Sequence, residues 1–211
     1  MTEKYFDITI LLGTESIDYP GDAPFRKETV RGGGRDARYT QSRLEMSAHA
    51  GTHIDLPAHF DPDAGTIENF GVADFIMPAV VVTVENPEMV LPEHVAAAHI
   101  HPGDAVLFRT ENSTTGRCVS GVFTEKYVHL SPGAAVLCVE KKVRLAGIDF
   151  ISVDPFGDEM YPAHVILSRA GVMILEGINL KDVPEGRYTL FCAPLKIAGG
   201  EASPVRAFLS R

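Results

Sequence analysis

The 211-residue sequence contains no tryptophan, only three cysteines and no block of basic residues. Each lack excludes something. Lys and Arg number 19 against 28 Asp and Glu, a formal charge of −9. Nucleic-acid and anionic-membrane surfaces need clustered cations, so neither is an expected partner. The longest apolar run, "FIMPAVVVTV" (75–84), is far short of the ~20 residues of a membrane helix. The N-terminal "MTEKYFDITI" lacks the basic-then-apolar order of a signal peptide. Cys118, Cys138 and Cys192 are widely spaced with no CxxC. They read as reduced thiols, and a cytoplasmic location is expected.

What is present is a hydrophobic share of 45%, enough for a core. The length predicts one domain over 1–211. Strand signals dominate in "YFDITILL" (5–12), "AVVVTVE" (79–85), "DAVLFRT" (104–110), "LAGID" (145–149), "VMILEG" (172–177) and "YTLFCAPLKI" (188–197). Several have no polar face, which predicts strands covered on both sides. Helices are predicted over 91–100, 131–142 and 162–171, each with a proline in its first turn. "RGGGRDAR" (31–38) reads as a loop between strands or a flap. The fold class is mixed α/β with more strand than helix.

The densest chemistry lies in "SAHAGTHIDLPAHF" (47–60), which holds three of the eight histidines. A window of that size should hold well under one. Imidazole and carboxylate are ligands that zinc and similar ions take. His49 and His53 are four apart, but Gly51 and Thr52 between them make a poor helix interior. On a straight strand they would lie roughly 13 Å apart, too far to share an ion. An extended segment bent at Gly51 reconciles the two, with His53 and Asp55 on one side beside His49. Pro57 then fixes the exit, and His59 arrives near the ion as a free imidazole.

"HAGTHIDLPAH" resembles the HxGTHxDxPxH signature of the cyclase family of metal-dependent hydrolases, with every fixed position present. That family includes bacterial kynurenine formamidases and isatin hydrolases. The similarity continues through "YPGD" (19–22), "PGDAVLFRT" (102–110), "GIDFISVDP" (147–155), "HVIL" (164–167), "ILEGINL" (174–180) and "APLKIAGGEASPVRAFL" (193–209). The resemblance implies a swivelling β/β/α fold with a mixed, partly barrel-like sheet and a few flanking helices. It implies that His49, His53 and Asp55 bind one ion, that Asp55 bridges to a second held by His164 and Glu176, and that His59 is the catalytic acid/base. It further implies two zinc ions, with manganese as the alternative, and a homodimer or larger homo-oligomer. The aromatic residue before PGD, often Trp in kynurenine formamidases, is Tyr19 here and is the expected substrate contact.

Outside that resemblance, His164 on an apolar helix reads as a satisfied core histidine. Glu176 ends a buried run and needs a cation or an arginine. Asp149, Ser152 and Asp154 read as a turn, or as groups that orient metal-bound imidazoles. His94, His99 and His101 read as a solvated face, and Asp61 and Asp63 as a turn. Phe25, Phe60 and Phe70 are pocket walls or core. The expected reaction is hydrolysis of a small aryl formamide or amide by a metal-activated water, N-formylkynurenine first. A cyclic amide such as isatin is the alternative substrate. A reading of another class is a non-catalytic metal- or small-molecule-binding protein.

Overall fold

The computed structural model describes residues 3–32 and 38–211. Most of the 31–38 loop read from the sequence lies outside the described residues. The chain runs β1 (Tyr5–Asp7), β2 (Arg26–Arg31), β3 (Gln41–Glu45), β4 (His53–Asp55), β5 (Ile76–Thr83), β6 (Met89–Val90) and α1 (Pro92–Ala97). It continues β7 (Ala105–Arg109), α2 (Glu111–Thr114), β8 (His129–Leu130), α3 (Pro132–Glu140), β9 (Leu145–Ile148) and α4 (Pro162–Arg169). The last elements are β10 (Met173–Glu176), β11 (Gly186–Phe191), β12 (Ala202–Pro204) and β13 (Phe208–Ser210).

Nine strands form one sheet in the order β1-β13-β11-β5-β7-β9-β10-β4-β12. Its centre, β5 to β10, is parallel. Both wings are antiparallel, β11, β13 and β1 on one side and β4 and β12 on the other. This is the mixed α/β architecture expected, with the sheet curled into a partial barrel. The predicted strand over 104–110 is the middle strand, β7.

The apolar runs make sense in this frame. Side chains alternate faces along a strand. Ala79, Val81, Ala105, Leu107, Leu145 and Leu175 pack into a core on one face. Val80, Val82, Val106, Phe108, Ala146 and Ile174 pack on the other, against Val95 of α1, Ala134, Ala135 and Cys138 of α3, and Ala163 and Leu167 of α4. Parallel strands covered on both faces tolerate no polar side, which is why these segments read as unbroken hydrophobic stretches.

The three long predicted helices form, each a few residues shorter than read, with Pro92, Pro132 and Pro162 at their starts. Ser131 caps α3 by accepting from the Ala134 N–H at 3.2 Å. The run 5–12 is a strand only as far as Asp7, after which Thr9 makes a lone bridge to Ile178. The run 188–197 leaves the sheet after Phe191. Among the described residues no helix is long and apolar enough to cross a membrane. The three cysteines are buried and unpaired, and burial pushes each thiol up to about 12.

Candidate metal centre and active site

The site forms where the parallel centre of the sheet meets its antiparallel wing. β4 pairs with β10 so that His53 faces Glu176 and Ile54 faces Leu175. Directly opposed residues share a face, so the strand period sends His53, Asp55 and Glu176 to the helix side and Ile54 and Leu175 into the opposite core. His164 descends onto the same spot from α4. The segment before β4 bends as the sequence predicts: Gly51 has φ +63°, and a Cβ there would lie 2.6 Å from Leu12. That bend brings His49 back over His53, with ring centroids 5.2 Å apart.

The donor atoms converge. His49 Nδ1 lies 2.9 Å from Asp55 Oδ1, and His53 Nε2 lies 3.1 Å from Glu176 Oε2 and 3.5 Å from Asp55 Oδ1. His164 Nε2 lies 3.3 Å from Glu176 Oε1 and 3.7 Å from Asp55 Oδ2. Asp55 is thus shared between the His49–His53 side and the His164–Glu176 side. Among the described residues two sets of donors are close enough to hold an ion: His49, Asp55 and His59, and His53, Asp55 and Glu176. All five residues expected as ligands are brought together, and His59 joins them.

Do these groups fit a cation? His53 Nε2 and both Asp55 carboxylate oxygens are buried and lack a well-aligned hydrogen bond, although donor and acceptor atoms crowd within 2.9–3.7 Å of them. Buried polar atoms left without one are costly. The orientation of His53 sharpens the point. Its Nδ1 lies 2.9 Å from the Gly51 carbonyl, which can only accept. Nδ1 therefore carries the proton, and the neutral ring aims the Nε2 lone pair at two carboxylates. Lone pair against anion is repulsive unless a proton or a metal cation sits between them. The donor set of imidazole and carboxylate suits a borderline divalent ion.

Without an ion, protons serve as the counter-charge. Burial opposes ionisation of His49, His53 and His164, but the carboxylates outweigh it. They lift His49 to about 9 and His164 to about 10, and raise His53 as well. Burial pushes Asp55 and Glu176 upward, yet the neighbouring imidazoles hold both below the usual carboxylate range. His59 goes the other way. Burial lowers it, and the positive His49 and His164 outweigh part of the pull of Asp55. It remains the free base of the cluster at neutral pH.

His59 stands on a single helical turn, Pro57–His59, that leaves β4. Its Nε2 is 4.0 Å from Asp55 Oδ2, its ring centroid 4.3 Å from that of His49, and its side chain 27% exposed. It is near the donor cluster yet open to a cavity of about 310 Å³. Tyr19, Phe60, Ile151 and Tyr161 form the apolar walls, and Asp22 and Ser152 add polar groups. Tyr19, the expected substrate contact, lines this cavity and lies against Phe123 at 5.7 Å and Phe156 at 6.0 Å. Phe60 is a wall, in contact with His59 and His164.

Other candidates fall elsewhere. Phe70 packs on the core under β5, and Phe25 lies against Gly13. His94 Nδ1 accepts from the Leu91 N–H at the start of α1, and His101 is beside Asp104. Asp61 and Asp63 form the turn expected. Asp149 accepts from Thr110 and Ser113 at the start of α2, a purely structural junction. The sequence reading missed Asp22 and Tyr161 as lining residues. Tyr161 precedes the helix-starting Pro162 and takes φ +46°, a conformation rare for a bulky residue that the sequence does not announce.

Comparison with known proteins gives the family and the fold. The model of the family described as "Putative cyclase" matches residues 6–155. The chain is 34% identical over 208 residues to the kynurenine formamidase of Bacillus cereus, covering 99% of this chain and 98% of the relative. The structure of a "predicted metal-dependent hydrolase" from Bacillus stearothermophilus superposes with a TM-score of 0.84 at 31% identity, over 100% of this chain and 99% of that one. Isatin hydrolase A from Labrenzia aggregata gives the same TM-score at 25% identity, over 99% and 93%. With the signature, the sheet order and the convergent donors in agreement, the chain belongs to the cyclase family.

Proposed function

We propose that this protein is a metal-dependent hydrolase that cleaves the amide C–N bond of a small aryl formamide, with N-formylkynurenine as the leading substrate. The observation that carries the reading is the buried donor cluster with poorly satisfied His53 and Asp55 atoms, one free imidazole beside it and an aromatic-walled cavity above. The similarity to kynurenine formamidases over the whole chain supports the substrate class.

His49, His53, Asp55, His164 and Glu176 would hold two ions between them. Zinc leads, because imidazole and carboxylate are donors it takes readily; manganese accepts the same set. A divalent cation in such a site lowers the pKa of water toward 7 and polarises a carbonyl. The rest falls to the protein. Tyr19, Phe60 and Tyr161 offer ring faces that hold an aryl group and exclude water from it. His59, neutral at working pH, accepts a proton from the attacking water at Nε2. It returns that proton to the departing nitrogen, so one water and one formamide give an amine and formic acid. The homologous chains act on small molecules, and a homodimer or larger homo-oligomer is part of this proposal.

A second reading keeps the site and changes the substrate. The match to isatin hydrolase A favours a cyclic aryl amide, in which the departing nitrogen stays tethered. Metal analysis and a panel of N-formylkynurenine, formanilide and isatin, with and without chelator, decides between the readings. The proposal expects bound divalent ion and chelator-sensitive formamide cleavage. It expects His59→Ala to keep the ion and lose about 10²–10⁴-fold in kcat. Full ion loading with no turnover on any member of the panel would leave a binding protein instead.

A further inference from the structure

The carboxylate of Asp154 is buried behind the donor cluster, on the far side of His164. Its Oδ2 lies 2.6 Å from His164 Nδ1 and accepts the His164 backbone N–H at 3.0 Å; its Oδ1 accepts the Ala163 N–H at 2.7 Å. One side chain therefore does two things. It satisfies the first free N–H groups of α4, and it grips the imidazole that α4 carries. The helix needs this help. Its cap position is Tyr161, in the left-handed region and making no side-chain cap bond, and Pro162 has no N–H to offer. A residue eight positions upstream of the helix does the work that an Asp or Ser at the cap usually does.

Asp154 is itself held. The Tyr127 hydroxyl donates to its carbonyl at 2.6 Å, and its N–H donates to Ser152 Oγ at 3.2 Å. The preceding residue, Val153, donates its N–H to Glu176 Oε1 at 2.6 Å. The short segment Ser152–Asp154 thus orients both His164 and Glu176.

We propose that Asp154 is a positioning residue that locks His164 in the tautomer with its proton on Nδ1, so that the Nε2 lone pair faces Glu176 and Asp55. A carboxylate accepts and cannot donate, which fixes where the proton sits. The inference rests on the reading of the site as a metal centre.

The discriminating variant is Asp154→Asn, which keeps size and shape. Asparagine has one oxygen where aspartate has two. With its oxygen toward His164, its NH2 meets the Ala163 N–H, donor against donor. With its oxygen toward Ala163, its NH2 faces His164 Nδ1 and drives the ring proton to Nε2, closing the lone pair. The first arrangement keeps the imidazole bond but strips α4 of the Ala163 cap bond and loosens the helix that carries His164; the second removes the acceptor from the imidazole itself. The expected result is a loss of about 10–100-fold in affinity for the more weakly held of two zinc equivalents, measured by competition with a chromophoric chelator. The cobalt-substituted d–d spectrum should change with it, while Asp154→Glu restores part of both. In zinc-loaded wild type, nitrogen-15 NMR of histidine-labelled protein should show the proton of His164 on Nδ1, a measurement that stands even where the variant does not fold. A proton found on Nε2, or an Asp154→Asn protein that loads both equivalents with wild-type affinity, overturns the assignment. A wild-type chain that takes up no divalent ion overturns the metal reading as a whole, a different failure.

Discussion

Gly177 follows Glu176 and touches the bend that precedes His53. Its φ is +64°, and a Cβ built on it would lie 2.3 Å from the Gly51 carbonyl oxygen and 2.8 Å from the Gly51 carbonyl carbon. Both are backbone atoms, so no side-chain rotation relieves the clash. The two chain segments would have to separate by about 1 Å to restore van der Waals contact. Gly177→Ala therefore carries two costs. The left-handed backbone contributes roughly 1–2 kcal/mol, and overpacking a further 1–3 kcal/mol or so. Gly171 supplies the control, since its φ is +75° and nothing lies within 4 Å of its Cβ position. Gly171→Ala should show the first cost alone. Urea denaturation of both variants, after chelation, should place Gly177→Ala lower than Gly171→Ala by about 1–3 kcal/mol at unchanged m. That corresponds to a Tm difference of roughly 2–12 °C for a chain of this size. Because the separation occurs between β4 and β10, Gly177→Ala should also weaken divalent-ion binding, and Gly171→Ala should not. Equal stability of the two variants would refute the argument that backbone contact sets the spacing of the donor cluster.

Two further outcomes are expected. Tyr19→Ala should raise KM for an aryl formamide by roughly 2–13-fold, the worth of one aromatic contact, while Tyr19→Phe, which keeps the ring, should leave it nearly unchanged; equal effects of both would place the aryl group elsewhere. Burial pushes Asp104 upward, but the two Arg187 hydrogen bonds at 2.8 and 2.9 Å and the His101 N–H outweigh it, holding the carboxyl below the usual aspartate range. A depressed folded-state value means that this stabilisation is complete above the unfolded value and is lost as pH falls through the folded one. Arg187→Gln should therefore flatten the acid limb of the stability–pH curve below about pH 4, a curve of unchanged steepness being the contrary result.

The centre of the sheet was legible because burial on both faces leaves a mark that no neighbouring element can disguise: an apolar residue at every position of 105–108. The His53–Asp55 pair was legible for a related reason, since a two-residue period and a glycine at the bend are local properties. His164 and Glu176 were not, because their role arises from α4 crossing over β10, and neither stretch carries a trace of the other. Asp154 looked like a turn residue and is one, but its carboxylate reaches forward to a helix that begins at Pro162. The strands at 26–31 and 41–45 escaped notice because all their residues are exposed and they pair only with each other, so no alternation of polarity marks them. Thr9 shows the opposite error: its neighbours look like a strand, but its hydroxyl exchanges hydrogen bonds with Ala207, and regular pairing stops at Asp7.

β4 is held between β10 and β12, with His53 opposite Glu176 on one side and Pro204 on the other. A ribosome therefore releases the first three donors long before the strands that flank them exist. His49 and His53 can meet early, but Glu176 and β12 join them from segments made much later. A chain cut before Glu176 would carry the signature motif without the carboxylate that faces it.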